Sequence, residues 1–419
     1  MSQTPLNLLC IEPRFPGRLG PVADWLVRKR GYRCWCFFHS AEPQEFWPHS
    51  VGRGLELIHF NVGGAAREAS VAWTRCLERG LCYAYGCWEV LETRRPRPID
   101  LVLGRSAGLG STLFVPAHAA GLPIVNYFDY FHHPRRHDLA EELVPELPAS
   151  YVHWRQAANG MDLLDLENGI HPWTASRWQR DLYPPEYRDD FTVLPDGVDD
   201  RAFTDRPQRP PLTVMGRTIG PDVQLVTFVA SALDRLRGFD RFRDLADRLL
   251  RARSDVVCVA VGNPLVQRSL DVPWFNRDYR AALLQQSPVH DPERFWCPGP
   301  LPPPALAALL ARSDLHVYAS RAYPVSRSLL LALAAGRVVL AWDTEPVREV
   351  LTHGTNALLT ADPDQAATLA AAALADPAAH RPLGDAARQL ALTTHTHDAA
   401  LPRLAAWFQQ LVERGVPMS

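Results

Sequence analysis

The sequence predicts an α/β protein with two parallel β-sheets, and three observations support this. An apolar run at residues 6–11 is followed by a glycine-containing loop, a helical segment at 22–30 and a second apolar run at 32–38. The order strand, turn, helix and strand recurs at 315–342, and a proline-rich stretch at 206–211 lies between the two. A strand, a crossover helix and another strand form a parallel βαβ unit. We therefore expect two Rossmann-like domains separated by a cleft.

The composition describes an ordinary globular protein of more than one domain. The chain has 419 residues, of which 47% are hydrophobic and 21% charged, and its formal net charge is −2. This length is sufficient for two or three domains. The near-neutral charge argues against nucleic acid as a partner. The proline-rich stretch places the expected boundary between a first domain at 1–205 and a second at 206–395, with a terminal amphipathic helix in 396–419.

The cysteines and apolar runs bear on the compartment. None of the eight cysteines forms a CxxC pair, so we expect no zinc site and predict free thiols in a reducing environment. The N-terminus lacks the charged and apolar regions of a signal peptide. No apolar run approaches the ~20 residues of a membrane-spanning helix. These features favour a cytoplasmic protein, and peripheral contact with a membrane stays open.

The turn in the second βαβ unit is the first candidate site. We expect a strand at 315–320, a helix at 326–335 closed by Gly336, and a strand at 338–342. The turn lies where free backbone N–H groups and the helix dipole favour an anion. Ser326 and Ser328 are candidate N-cap residues, and Arg327 supplies a fixed positive charge that suits a phosphate.

The same region resembles the donor-sugar segment of family-4 glycosyltransferases, which have the GT-B fold. The similarity lies in SLLLALAAG at 328–336, PVREV at 346–350 and HGTNALL at 353–359. The resemblance is to a divergent member, because the paired glutamates of the family fall here near Tyr323 and on Leu331, and neither position is acidic. The family also has two cations before a glycine in the preceding loop, of which the first is replaced here by Ser231.

The resemblance implies a donor site in the second domain. Its expected members are the residues that match the family's donor contacts or the glycine loop after the first strand, namely Gly17, Arg237, Gly238, Ser326, Arg327, Ser328 and Glu349. Glu349 would brace the sugar. An equally weighted alternative makes Glu349 a charge at the N-terminus of a short helix over 347–351. The resemblance also implies that the terminal helix crosses back to the first domain.

An acceptor side is implied in the first domain. The segment 128–138 resembles a polar acceptor-lining segment of bacterial relatives, and it contributes Asp129 and His132. Arg105 follows a predicted strand where relatives often carry histidine. It is expected to face either an anionic ligand or solvent. The histidines near Asp138 match no standard metal spacing, and the family requires no bound metal.

These features predict an enzyme that moves a sugar from a nucleotide-diphosphate donor to an acceptor with retention of configuration and without a cofactor. The alternative is a catalytically degenerate GT-B protein that binds a nucleotide or sugar or serves as a scaffold. Leu331, Ser231 and the absent first glutamate favour that alternative. A third possibility, a nucleotide-sugar epimerase, would require acid and base carboxylates that we cannot locate in the sequence.

Overall fold

The computed structural model of the protein describes residues 4–62, 74–94, 98–106, 109–118, 121–133, 149–203, 210–265 and 278–415. The chain divides into two compact units. Among the described residues, unit 1 comprises those within 4–133, 149–196 and 400–415, and unit 2 comprises those within 197–399. Most of the proline-rich linker predicted at 206–211 lies outside the described residues.

Unit 1 contains a parallel sheet. Its described strands are β1 (Asn7–Ile11), β3 (Arg33–Phe38), β5 (Leu55–His59), β6 (Leu101–Arg105), β7 (Ile124–Tyr127), β8 (His171–Thr174) and β9 (Thr192–Val193). Two further short strands, β2 (Arg14–Phe15) and β4 (Ser40–Ala41), form a separate parallel pair. The sheet order is β5-β3-β1-β6-β7-β8-β9. The order reverses between β1 and β6, and open α/β sheets bind ligands at the carboxyl ends of such strands.

Unit 2 repeats this arrangement. Its described strands are β10 (Leu212–Val214), β11 (Arg217–Ile219), β12 (Gln224–Ala232), β13 (Val256–Asn263), β14 (Phe295–Trp296), β15 (Leu315–Tyr318), β16 (Val338–Trp342) and β17 (Leu358–Thr360). β10 and β11 form a hairpin, and the others pair in the parallel order β14-β13-β12-β15-β16-β17. The reversal here lies between β12 and β15.

Helices connect the strands of both sheets. In the described residues they are α1 (Leu19–Arg30), α2 (Arg75–Arg94), α3 (Val115–His118), α4 (Ala149–Ala158), α5 (Gly160–Glu167), α6 (Arg177–Asp181), α7 (Phe239–Ala252), α8 (Tyr279–Gln286), α9 (Pro303–Arg312), α10 (Arg327–Ala334), α11 (Glu345–Arg348), α12 (Pro363–Ala375), α13 (Pro377–Leu390) and α14 (His397–Arg414). No helix in the described part of the chain is long and apolar enough to cross a membrane.

The sheet of unit 2 is buried on both faces. Along β12, Leu225 and Val229 belong to one apolar cluster, whereas Val226 and Phe228 belong to another. Successive side chains of a strand point to opposite faces, so each cluster covers one face. A parallel sheet covered on both faces requires strands that are apolar throughout. This explains why these strands appear in the sequence as continuous apolar runs.

The terminal helix α14 contributes to the core of unit 1. Leu401, Leu404 and Phe408 are fully buried in the same apolar cluster as residues of β1 and β3. The side-chain amide of Gln409 donates hydrogen bonds to the backbone oxygen of Thr4 at 2.6 Å and to the hydroxyl of Tyr32 at 3.1 Å. The last segment of the chain is therefore anchored to the first strands.

Candidate functional site

The candidate donor site of unit 2 lies at the carboxyl ends of β12 and β15, where the strand order reverses. Gly238 precedes α7 with φ +79°, and a Cβ atom there would lie 1.9 Å from the backbone oxygen of Ala319. Only glycine fits both the left-handed conformation and this close approach. The start of α7 is therefore held against the residue that follows β15.

Arg321 ties the same two loops together. Its guanidinium forms two hydrogen bonds to the Asp240 carboxylate, at 3.0 and 2.7 Å, and a further one to the backbone oxygen of Arg235. The side chain is only 5% exposed. A planar guanidinium suits this paired contact with a carboxylate. Arg321 was not identified in the sequence analysis, because its partner is 81 residues away in the chain.

Arg237 is a basic side chain at this junction. Its guanidinium carbon lies 4.6 Å from the centre of the Tyr323 ring. Among the described residues, no hydrogen-bond partner is found for its buried Nη1. A guanidinium held by a ring and left with an unused donor is suited to an anionic ligand.

The second feature of this site is the N-terminus of α10. Ser326 is its N-cap, and its hydroxyl accepts a hydrogen bond from the Leu329 amide at 3.4 Å. Ser328 is not a cap. Its hydroxyl donates to the backbone oxygen of Val229 at 2.7 Å and lies 2.7 Å from the hydroxyl of Ser326. Ser328 therefore fixes α10 to the end of β12, and Arg327 is the first residue of the helix.

Glu349 is a further member of the expected donor site, and Ser231 and Leu331 are two positions where the chain departs from the family. Glu349 is exposed and caps the C-terminus of α11, so the alternative that it supports a helix N-terminus is wrong. Ser231 is exposed at the end of β12, and Leu331 packs, half-buried, against the apolar core. Neither side chain can supply the charge that the family has there.

The glycine loop of unit 1 is closed by a carboxylate of the chain itself. The buried Glu12 accepts hydrogen bonds through Oε2 from the amides of Arg18 and Leu19, at 3.0 and 3.2 Å. A Cβ at Gly17 would lie 2.4 Å from the Glu12 carboxyl carbon. Since Glu12 occupies the anion position at the start of α1, this loop does not offer that position to a donor phosphate. The expected donor role of Gly17 has no support in this geometry.

Glu12 belongs to a charged cluster at the carboxyl edge of the first sheet, which we call the edge cluster. Its members are the side chains of Glu12, Arg18, Arg105, Asp129 and Asp196. Each follows or ends a different strand, or precedes α1. The parallel strands bring these positions to one edge.

The ion pairs of the edge cluster link all five side chains. Arg18 contacts Asp196 at 2.7 Å and Asp129 at 3.7 Å. Arg105 contacts Asp129 at 3.0 Å and Glu12 at 3.8 Å. Burial by itself lowers the pKa of Arg18, but Asp196, Tyr127 and Asp129 raise it above its ordinary value. The sequence led us to expect Arg105 to face either an anionic ligand or solvent. Instead, its guanidinium is ion-paired with Asp129 and Glu12 of the same chain and is only partly exposed.

His132 is close in sequence to Asp129 but does not join these ion pairs. Its backbone amide donates to Asn159 Oδ1 at 2.8 Å, and its ring packs against Tyr130 and Trp154. Burial, reinforced by the charge of Arg155, lowers the pKa of His132 to about 3. The imidazole is therefore neutral at physiological pH. It can serve as a neutral polar contact but not as a cation.

No metal-binding arrangement is found where the structure describes the chain. No group of three or more His, Cys, Asp or Glu side chains in the described ranges is arranged to hold a metal ion. The edge cluster is included in this statement. Its carboxylates are directed to guanidinium groups and backbone amides, as the distances above show.

Comparison with known proteins gives a consistent family for both units. A family model described as Glycosyl transferase family 4 group matches residues 30–203, and one described as Glycosyl transferases group 1 matches residues 223–376. No curated protein matches the chain.

Solved structures of glycosyltransferases share the fold over nearly the whole chain. Sucrose-phosphate synthase from Thermosynechococcus elongatus is 15% identical with a TM-score of 0.69, and the match covers 98% of this chain and 100% of that one. HepE from Anabaena, in complex with UDP-glucose, is 15% identical with a TM-score of 0.67, covering 97% and 100%. WaaG, a glycosyltransferase involved in lipopolysaccharide biosynthesis, is 18% identical with a TM-score of 0.60, covering 95% and 98%.

The two matched domains, the two parallel sheets with the same strand order and the shared fold lead to one conclusion. The chain belongs to the GT-B glycosyltransferases, with a family 4 group domain followed by a group 1 domain.

Proposed function

We propose that this glycosyltransferase takes its sugar from a nucleotide-diphosphate donor held by unit 2 and transfers it with retention of anomeric configuration. The observation that carries the proposal is Arg237. Its guanidinium is positioned over Tyr323, and its buried Nη1 has no hydrogen-bond partner in the described part of the chain. A diphosphate is an anion that this unused donor fits.

The surroundings of Arg237 favour the same ligand. Gly238, the next residue, is the N-cap of α7, which follows β12. The N-terminus of α10 follows β15, the neighbouring strand at which the sheet order reverses. Helix N-termini stabilise phosphate groups through free backbone N–H groups and the helix dipole. One guanidinium and two helix N-termini would together stabilise the charge that develops on the diphosphate as the glycosidic bond opens.

A related structure supports the type of donor. The Anabaena protein HepE was solved with UDP-glucose and with UDP. We therefore take UDP and UDP-glucose as the first probes for this chain. Retention is proposed from the family-4 resemblance, in which no strong protein nucleophile acts on the sugar.

The test is calorimetric titration of UDP and UDP-glucose into the wild type and into Arg237→Ala. We expect the variant to lose about 1.5–3 kcal/mol of binding free energy, the scale of a charge-assisted hydrogen bond. Arg251→Ala is the matched control, because Arg251 is an exposed arginine near the far end of α7, the helix that Arg237 precedes. Equal binding by wild type and Arg237→Ala would remove the donor assignment.

Turnover and stereochemistry have a readout that needs no known acceptor. Slow hydrolysis of UDP-glucose should release UDP, and proton NMR should show α-glucose as the first sugar product. Early appearance of β-glucose would contradict retention. We also propose that no bound metal is required, and unchanged UDP release in EDTA tests this.

A second candidate function is ligand binding without turnover. Three observations favour it: the first of the family's paired glutamates is absent near Tyr323, Leu331 stands in place of the second, and Ser231 stands in place of the first cation. Under this alternative, UDP binds and Arg237→Ala weakens it, but UDP-glucose yields no UDP and transfers no sugar. The UDP-release experiment therefore separates the two functions.

We propose the cytoplasm as the compartment. All eight cysteines are free in the structure, and five of them, Cys10, Cys34, Cys36, Cys87 and Cys258, are buried. Thiols that persist unpaired fit a reducing environment. Thiol titration of the denatured, unreduced protein should give eight free groups, and a stoichiometric disulfide would contradict the assignment.

A further inference from the structure

One residue of the segment after β15 holds the backbone that carries Arg237. The backbone amide of Arg321 donates to the backbone oxygen of Leu236 at 3.0 Å, and its guanidinium donates to the backbone oxygen of Arg235. These two oxygens belong to the residues directly before Arg237. Tyr323 follows closely in the same segment, and its ring centre lies 4.6 Å from the guanidinium carbon of Arg237. Arg321 therefore connects the backbone of Arg237 to the ring that orients its side chain.

Arg321 also compensates a carboxylate beside the candidate anion site. Asp240 lies in the first turn of α7, where its charge interacts favourably with the helix dipole but competes with an anionic ligand for it. The guanidinium of Arg321 forms hydrogen bonds of 3.0 and 2.7 Å to this carboxylate, and the two side chains are 5% and 22% exposed. With so little solvent, an uncompensated carboxylate would repel a phosphate. Arg321 therefore reduces the negative potential at the N-terminus of α7.

A second buried arginine makes equivalent contacts at the opposite ends of the same strands. Arg312, with a side chain 1% exposed, pairs with Asp314 at 3.0 Å and donates to the backbone oxygen of Val223 at 2.6 Å. These residues precede β15 and β12, whereas Arg321 and its partners follow them. The two arginines are alike in burial, ion pairing and backbone contacts, but of the two it is Arg321 that lies at the edge carrying Arg237. Arg312 is therefore a matched reference for the effect of losing such a contact.

We infer that Arg321 is a positioning residue for the donor: it holds the guanidinium of Arg237 in the orientation that meets a diphosphate, and it neutralises Asp240 beside that ligand. Arg321 acts without touching the donor, because its guanidinium is directed to Asp240 and to the backbone of the loop before α7. This inference rests on the proposed function for the ligand, and it adds a residue that sets the affinity of the site.

The first measurement is calorimetric titration of UDP into Arg321→Ala and Arg312→Ala, with urea unfolding to establish that each variant is folded at the titration temperature. Both variants should lose stability, because each leaves a carboxylate without its cation. Arg321→Ala should weaken UDP binding about tenfold or more, whereas Arg312→Ala should change it by less than about twofold. Adding Asp240→Asn to Arg321→Ala removes the uncompensated charge and should recover part of the lost affinity.

The second measurement needs no ligand. Because the guanidinium of Arg237 lies over the Tyr323 ring, the ring current should shift its Nε–H NMR signal upfield, and loss of the signal in Arg237→Lys assigns it. In Arg321→Ala the signal should move towards its position in Tyr323→Ala, and in Arg312→Ala it should stay. If Arg321→Ala folds poorly, Arg321→Lys replaces it. Lysine keeps the charge but lacks the planar fork, so both effects should be smaller and in the same direction.

Equal UDP affinity in wild type and Arg321→Ala would overturn the inference. Equal losses of affinity in Arg321→Ala and Arg312→Ala would also overturn it, because they would show a general effect of lost stability. So would an Arg237 signal that stays in place in Arg321→Ala. If the wild type does not bind UDP but the signal moves in Arg321→Ala alone, the positioning role stands and the proposed donor is wrong.

Discussion

The guanidinium of Arg237 lies over the ring of Tyr323, with its central carbon 4.6 Å from the ring centre. Tyr323 lies near the position where the family resemblance places the first of its paired glutamates. A carboxylate there would pair with Arg237 and neutralise it, whereas an aromatic ring orients the cation and leaves its charge available. The ring contact therefore orients Arg237 without neutralising its charge.

The ring is expected to orient Arg237 for a diphosphate. Tyr323→Ala should weaken UDP binding by about 0.5–2 kcal/mol, the range of a cation–π contact, and Tyr323→Phe should keep nearly all of it. Calorimetry of the two variants measures this. An equal loss in both would assign the effect to the tyrosine hydroxyl and contradict the role of the ring.

The shape of the guanidinium should matter as well as its charge. Arg237→Lys should recover only part of the affinity lost in Arg237→Ala, because a point charge cannot reproduce the planar donor fork. Titration of UDP into both variants tests this. Full recovery by lysine would show that the contact is a simple charge interaction.

Gly238→Ala should destabilise unit 2. A methyl group would lie 1.9 Å from the backbone oxygen of Ala319, and the residue would keep φ at +79°. The left-handed conformation alone costs about 1–2 kcal/mol. Gly299→Ala has a similar φ of +83° but open space around it, so it isolates that cost. Urea unfolding should show a clearly larger loss for Gly238→Ala, and equal losses would argue against the close approach.

Leu331→Glu introduces the glutamate that the family resemblance places at this position. Leu331 is half-buried and packs against the apolar core of unit 2. We expect the carboxylate to lower the free energy of unfolding by about 1–3 kcal/mol without tightening UDP binding. Leu331→Met should be nearly neutral in both assays. Tighter UDP binding by Leu331→Glu would show that the side chain reaches the nucleotide.

His316 should make stability depend on pH on the acid side. Burial lowers its pKa to about 3, below the value of about 6.5 in an unfolded chain. The unfolded state therefore gains the proton first, and stability is lost as pH falls from 6.5 towards 3. Between pH 6.5 and pH 5 the loss is about 2 kcal/mol. His316→Gln should flatten this part of the curve, and an unchanged slope would contradict the assignment.

Asp165 should act with the opposite sign. Burial raises its pKa to about 7, although the hydrogen bond from Asn126 acts against this. The folded state holds the proton more tightly than the unfolded chain, so this stability is present below about pH 4 and is lost as pH rises to 7. Asp165→Asn should reduce the fall in the free energy of unfolding between pH 4 and pH 7 by roughly 2–4 kcal/mol. Asp190→Asn, at an exposed position, should leave that fall unchanged. Equal curves of unfolding free energy against pH for wild type and Asp165→Asn would exclude Asp165 as the cause.

The sequence by itself determined the local elements and the fold class. The strand predicted at 338–342 is β16 as observed, and the helix predicted at 326–335 differs from α10 by only one residue at each end. Apolar runs, the serine cap and the closing glycine act over a few neighbouring residues, so they are visible in a single chain. Short strands such as β14 and β17 were missed, because two or three residues carry too little pattern.

Only the tertiary structure decided what the charged residues do. Arg18 and Asp196 form an ion pair although 178 positions separate them, and Glu12 fills the helix N-terminus beside Gly17. Glu349 lies at the end of its helix rather than at the start. Charge type can be read at any position, but the partner of a charge depends on which loops the sheet brings to one edge. Strand order sets that arrangement, and no short segment of sequence encodes it.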